Sequence, residues 1–244
     1  GDYPDYFQIP QTAIPSIEHS WKSKAPMLYG RFDFAYDGQN IKMLEYNADT
    51  PTGLLEASVA QWHWIEEVQN VPHRDQFNSI HEDLIERWKQ LFAPKTLVHF
   101  AACQEAGRED WGNLEYLMDT AFQAGLSVSE LSMENLGWDQ TQFVDLNDQA
   151  INHLFKLYPW EWIWEENFST FIKPDSQWIE PCWKMLLSNK AILVELWKQF
   201  PHHSLLLESH AFNPNDRFNG KWVRKPILAR EGANIHIIQN NVDC

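Results

Sequence analysis

Arg31-Phe32-Asp33-Phe34-Ala35-Tyr36, the turn Asp37-Gly38-Gln39-Asn40, and then Leu44-Glu45-Tyr46-Asn47-Ala48-Asp49 read as a β-hairpin with polar groups at two-residue spacing on both strands. Strand side chains alternate between faces, so Arg31 and Asp33 share one face and Phe32, Phe34 and Tyr36 the other. On the return strand Glu45 and Asn47 alternate with Leu44 and Tyr46. If the apolar sets lie on one sheet face, the loop between the strands holds an odd number of residues. Asp33 then falls opposite or diagonal to Glu45, within side-chain reach. Two carboxylates and an amide oxygen beside an arginine form a hard-oxygen site suited to Mg²⁺ carrying a phosphate. The plainer alternative is a solvent-facing hairpin with charges in alternation around an ordinary Asp-Gly turn.

Downstream, Thr50-Pro51-Thr52-Gly53 leads into Leu54-Leu55-Glu56-Ala57-Ser58. Thr50 suits an N-cap and Pro51 the first helical position. The acidic strand would therefore end at a helix N-terminus, where free N–H groups favour anions. Helices are expected over 51–69 and 75–92, the latter with Phe77, Ile80, Leu84, Trp88 and Leu91 as one apolar stripe. Lys95 to Ala101 reads as a buried strand, Gln104 to Asp110 as a polar loop, Asn113 to Ala124 as a helix and Leu126 to Met133 as the next strand. This βαβ series indicates an α/β fold. A second hairpin signal follows at Phe143–Asp148, then a strand over Ile151–Leu157, a short aromatic helix near 159–166 and a longer one from Pro181 to Phe200. A polar turn at Arg217–Gly220 precedes a strand at Trp222–Ile227. A domain boundary is expected near 165–180.

Composition narrows the partners. The 244 residues carry a formal net charge of −15, which argues against a broad basic surface for nucleic acid or an anionic membrane. No apolar run spans a bilayer, and the first residues lack the pattern of a signal peptide. Cys103, Cys182 and Cys244 are odd in number and widely spaced, which fits a reducing, cytoplasmic setting. The 13 Trp cluster at Trp62–Trp64 and Trp160–Trp164, where core packing is the expected role.

A second constellation lies at Val223 to Ile237. Lys225 stands near the end of a strand, and the Gly-containing loop after it can lay N–H groups against phosphate. Alone, this is also an ordinary hairpin. Lys190, at the start of a helical stretch, is a second phosphate-ligand candidate, although a lone helical lysine is usually solvated.

Taken together, Arg31-x-Asp33, Glu45-Tyr46-Asn47-Ala48-Asp49, Leu157-Tyr158-Pro159-Trp160-Glu161, Glu180-Pro181-x-Trp183-Lys184, Ser188-Asn189-Lys190-Ala191 and Lys225-Pro226-x-x-x-Arg230-Glu231-Gly232-Ala233-Asn234 resemble the glutathionylspermidine synthase family of ATP-grasp ligases. The resemblance is closest to stand-alone bacterial members without an amidase domain, and runs from about residue 15 to 240. It implies a pre-ATP-grasp domain over 1–170 and part of an ATP-grasp lobe over 171–244. It further implies an ATP- and Mg²⁺-dependent ligase that forms an acyl phosphate on a peptide-like carboxylate, which an amine or polyamine then attacks. By the same resemblance Asp33, Glu45 and Asn47 are the Mg²⁺ ligands, and Arg31 is catalytic and binds ATP phosphate. Asp33, Lys190, Lys225, Arg230 and Gly232 complete the ATP site. The acceptor side is assigned to Thr50, Thr52, Glu109, Asp110 and Trp162.

Two acceptor-side positions depart from the family pattern. Thr50-Pro51-Thr52-Gly53 replaces a Ser-rich stretch with a cysteine, and Trp162 replaces a Thr. The family's ligase region also begins earlier and continues further, so the chain reads as a piece of it. The rival expectation is a nucleotide-binding or regulatory module of the same fold without ligase activity.

Overall fold

The computed structural model describes residues 3–68, 72, 74–105, 107–213, 219–229, 232–240 and 242–243. The chain opens with α1 (Ile14–Lys22), the hairpin β1 (Arg31–Tyr36) and β2 (Ile41–Asn47), then α2 (Gln61–Glu67) and α3 (Ile80–Leu91). Next come β3 (Leu97–Ala102), α4 (Arg108–Gln123), β4 (Ser127–Ser132), β5 (Gly137–Trp138), β6 (Phe143–Val144), β7 (His153–Leu157) and α5 (Trp160–Ile163). The last elements are β8 (Gln177–Ile179), α6 (Met185–Ser188), α7 (Ile192–Gln199), β9 (Lys221–Arg224), β10 (His236–Gln239) and β11 (Val242–Asp243).

The centre is a parallel four-stranded sheet in the order β4-β3-β7-β8. This is the α/β architecture that the strand–helix–strand pattern foretells. Strands buried on both faces read as unbroken apolar runs, and Val98-His99-Phe100-Ala101-Ala102 is buried throughout. Alternation then divides the core. Phe100, Ala102, Phe155 and Leu157 pack with Leu84, Trp88, Leu114 and Leu117 of α3 and α4. Ala101 and Leu154 point the other way, to Ile17 of α1, Trp160 and Ile163 of α5, Trp178 and Met185.

Several boundaries differ from the sequence expectation, each for a local reason. Helical geometry begins only at Leu54, with a π-helical stretch at Glu56–Ala60. Thr50 and Pro51 stay in the loop because the Leu54 N–H is capped from outside, by Asn113 Oδ1 at 3.1 Å. Helix α3 starts at Ile80, so Phe77 lies off its stripe and is 98% exposed. Helix α4 begins at Arg108, putting Glu109 and Asp110 in its first turn instead of a loop, where acidic groups suit the N-terminal dipole. The hairpin signal at Phe143–Asp148 holds. Strand β6 pairs with β5 on one side, and the chain turns back so that Val144 bridges Ala150 antiparallel and the Ile151 N–H reaches the Phe143 carbonyl. Asp145 accepts the Asn147 and Gln149 N–H groups in the turn.

The expected helix from Pro181 to Phe200 is broken. A 3₁₀ turn at Cys182–Lys184 leads into α6, and Asn189 separates α6 from α7. The Asn189 side chain accepts the Ala191 N–H at 2.9 Å and donates to the Phe7 carbonyl at 2.8 Å. Such side-chain bonds compete with the helical ladder. Trp62 and Trp64, expected in the core, are 44% and 59% exposed, on a helix without buried residues. Arg217 and Phe218 of the expected polar turn lie outside the described residues. Among the described residues, no helix is long and apolar enough to cross a membrane.

Candidate active site

The hairpin register pairs Arg31 with Asn47 and Asp33 with Glu45. Positions two apart on a strand share a face, so all four side chains project from the same side. The parity works differently from expectation. The loop joining Tyr36 to Ile41 has an even number of residues, and the odd one is Leu44, bulged between the Asp33–Glu45 and Phe34–Met43 pairs. A bulge of one residue shifts facing by one step, which keeps Glu45 opposite Asp33 while Met43 joins Phe34. Phe32 stacks on Tyr46 at 4.0 Å between ring centroids on the opposite face.

Arg31 grips Asp33 with two bonds, Nε–Oδ1 at 2.7 Å and Nη2–Oδ2 at 3.1 Å. That pairing holds the Asp33 carboxyl below its usual range and the guanidinium above its own. The Asn47 amide nitrogen donates to Asp33 Oδ2 at 3.2 Å. Glu45 faces Lys190, Nζ to Oε2 at 3.1 Å. Lys190 also donates to the Ala229 carbonyl at 2.6 Å, and its N–H reaches the Ile227 carbonyl at 3.2 Å. Lys190 thus ties the stretch following Lys225 to Glu45 of the hairpin. Lys190 stands between α6 and α7, not at a helix start, because Asn189 interrupts the helix there.

On the other side, Arg31 Nη1 donates to the Thr52 carbonyl at 3.0 Å, and Thr52 Oγ1 donates to Glu109 Oε1 at 3.0 Å. A cavity of ≈ 510 Å³ opens here, lined by Tyr29, Arg31, Thr52, Leu54, Asp83 and Arg87 among others. Asp110 follows Glu109 in the same first turn of α4. Thr50 is half-buried in the bend just after Asp49. Trp162, on α5 and 45% exposed, meets the Tyr158 ring edge-on at 5.4 Å. Gly232 has φ +72°, a conformation that glycine adopts without strain. Arg230 and Glu231 lie outside the described residues.

The motif charges away from this face form a buried frame. Asp49 and Lys156 pair at 2.6 Å, both side chains fully buried. The second Asp49 oxygen accepts the Trp160 N–H at 2.8 Å, and the Lys156 ammonium lies 4.6 Å over the Trp160 ring. Ser188 Oγ accepts the N–H groups of Ala48 and Asp49 at 3.0 and 2.8 Å. Glu180 accepts the N–H groups of Leu28 and Tyr29, and Lys184 bonds both the Glu180 carboxylate and the Tyr29 carbonyl. Burial pushes the Glu180 carboxyl upward against the pull of Lys184. These groups fix the chain just before Arg31 and just after Asn47. Sequence reasoning assigned them no site role. Their signal was charge inside otherwise apolar runs, as at Lys156 between Phe155 and Leu157.

Asp33, Glu45 and Asn47 fit a hard divalent cation by donor chemistry, offering two carboxylates and an amide oxygen. Among the described residues no group of three or more His, Cys, Asp or Glu side chains is placed to hold a metal ion.

Residues 2–244 match the family model described as glutathionylspermidine synthase preATP-grasp. The chain belongs to that family. This family chain is 50% identical to a putative acid–amine ligase of Haemophilus influenzae over 99% of its own length and 63% of the relative's. It is 27% identical to the bifunctional glutathionylspermidine synthetase/amidase of Escherichia coli, over 96% of this chain and 42% of that one. Trypanothione synthetase of Crithidia fasciculata is also 27% identical, over 95% and 39%. This glutathionylspermidine synthase relative therefore spans between about two fifths and two thirds of the curated proteins it matches.

Proposed function

We propose that this chain carries the metal-binding and phosphate-binding core of an ATP- and Mg²⁺-dependent ligase joining a carboxylate to an amine. The observation that carries the reading is the register of the hairpin. It sets Asp33 against Glu45 and Arg31 against Asn47 on one face, with Lys190 closing on Glu45. Asp33, Glu45 and Asn47 would hold Mg²⁺, which when bound draws charge from the phosphate oxygens. Arg31, Lys190 and Lys225 would neutralise and orient the nucleotide phosphates, with Arg230 and Gly232 covering them. Phosphoryl transfer depends on such positioning more than on a protein nucleophile.

Arg31 stands between the metal ligands and the cavity at Thr52, so it would hold the substrate carboxylate in line with the terminal phosphate. A carboxylate oxygen attacks that phosphorus and ADP leaves. The amine nitrogen then attacks the acyl carbon, releasing inorganic phosphate and a proton. Thr50, Thr52, Glu109, Asp110 and Trp162 would shape the acceptor side, for a peptide-like carboxylate and an amine or polyamine. The relatives' names, two synthetases and an acid–amine ligase, support this class of reaction. The division at residue 170 and a cytoplasmic setting belong to the same proposal.

The test is Mg²⁺-dependent thermal stabilisation by ATP, followed by ADP release screened across peptides and amines on the full-length protein. Stabilisation with amine-dependent ADP release is expected. Stabilisation without turnover under any pair would favour the nucleotide-binding module, and no ATP effect at all would remove both.

A further inference from the structure

Each proposed carboxylate ligand in the hairpin is already held by a cation of the chain itself. Asp33 is gripped by Arg31, and Glu45 by Lys190. The Lys190 pair is the more enclosed, with side chains 14% and 28% exposed. Lys190 has two acceptors, the Glu45 carboxylate and the Ala229 carbonyl. It is also the residue whose charge the nucleotide reading requires at a phosphate. A divalent ion competes with the Lys190 ammonium for Glu45, and a phosphate competes with Glu45 for the ammonium, so the pair has to open when both are bound.

We infer that Lys190 is an exchangeable counter-ion for Glu45, coupling metal entry to nucleotide entry. Without nucleotide, Lys190 occupies the carboxylate and lowers its affinity for Mg²⁺. When phosphate draws the ammonium away, Glu45 is freed for the metal. The same exchange loosens the Lys190–Ala229 bond that ties the stretch after Lys225 to the hairpin. Such coupling is reciprocal, so metal binding must release Lys190 toward phosphate by the same factor. The inference rests on the proposed metal and nucleotide roles.

The experiment is Mn²⁺ titration of the nucleotide-free full-length protein, read by electron paramagnetic resonance, in wild type, Lys190→Met, Lys190→Arg and Lys198→Met. Lys198 pairs with Glu195 and Tyr6 on the surface and controls for loss of one positive charge from an acidic chain. Lys190→Met is expected to bind nucleotide-free Mn²⁺ about two- to fivefold more tightly, the range of a partly exposed ion pair. Lys190→Arg and Lys198→Met should stay at the wild-type value. Unchanged or weaker Mn²⁺ binding by a folded Lys190→Met protein, while wild type is stabilised by Mg²⁺ and ATP, overturns the exchange and leaves the ligase reading standing. Equal tightening in Lys198→Met overturns it too, by making the effect a general one of charge. Absence of any Mg²⁺–ATP effect on wild type overturns both.

Discussion

Glu45 and Asp49 stand four residues apart, and each carboxylate meets a lysine, at 3.1 Å and 2.6 Å respectively. The chemistry of the two pairs is the same and their surroundings are opposite. Asp49 and Lys156 are fully buried, and every charge-bearing oxygen of Asp49 has a partner inside the protein. Glu45 and Lys190 keep a solvent-facing edge. A buried pair has given up its hydration and cannot exchange partners without a large cost. A partly exposed pair is worth little to the fold and is free to rearrange. Burial thus sorts the motif charges into a fixed frame and a working face.

The contrast breaks most sharply at the hairpin. Asp33→Ala or Glu45→Ala is expected to lower amine-dependent ADP release by about 10²–10³, the scale for losing a group that stabilises transition-state charge. Chemical denaturation should show stability within about 1 kcal/mol of wild type. Undiminished turnover would remove the metal assignment. On the buried side, Asp49→Ala strands the Lys156 ammonium and should cost about 3–5 kcal/mol of stability, measured by urea unfolding. A wild-type unfolding curve for this variant would contradict the frame.

Ser188→Ala sits between the two regimes, since it removes the acceptor for two backbone N–H groups at Ala48 and Asp49. A loss of about 1–3 kcal/mol is expected, and nucleotide affinity should weaken as well, because Ser188 lies two residues before Lys190. The smallest effect is in pH. Burial holds the His99 imidazole below its ordinary pKa, against a weaker pull from Asp145. The unfolded chain therefore binds the extra proton first, and stability should fall as pH drops below about 6.5. His99→Gln should flatten that limb of a melting temperature–pH profile.

Much of this was legible in the chain because strand geometry is strict. A two-residue period put Arg31 with Asp33 on one face and Glu45 with Asn47 on one face, while the Leu44 bulge is what makes the two faces the same. In the central sheet β3 announced itself as an apolar run and β4 by alternation, whereas the three-residue β8 (Gln177–Ile179) carried no such signal. What escaped was set by contacts distant in sequence. Nothing local says that Asn113 caps the helix at Leu54, that Asn189 reaches Phe7 and so breaks a helix, or that Leu44 bulges. Lys156 and Glu180 carried a visible signal, a charge among apolar neighbours, but the partner that makes each tolerable lies 107 and 4 residues away respectively. Only the fold joins the first pair.

The clamps around the hairpin also bear on how the molecule assembles. The β1–β2 turn is short and can form early, but the groups that fix its two ends arrive from far along the chain. Glu180 lies 152 residues from Leu28, and Ser188 lies 140 from Ala48. Closing such loops costs chain entropy before any contact repays it, and topologies of this kind fold slowly. The phosphate end should therefore mature last, after the sheet. Under the proposed function, nucleotide binding would then serve as a report that folding is complete.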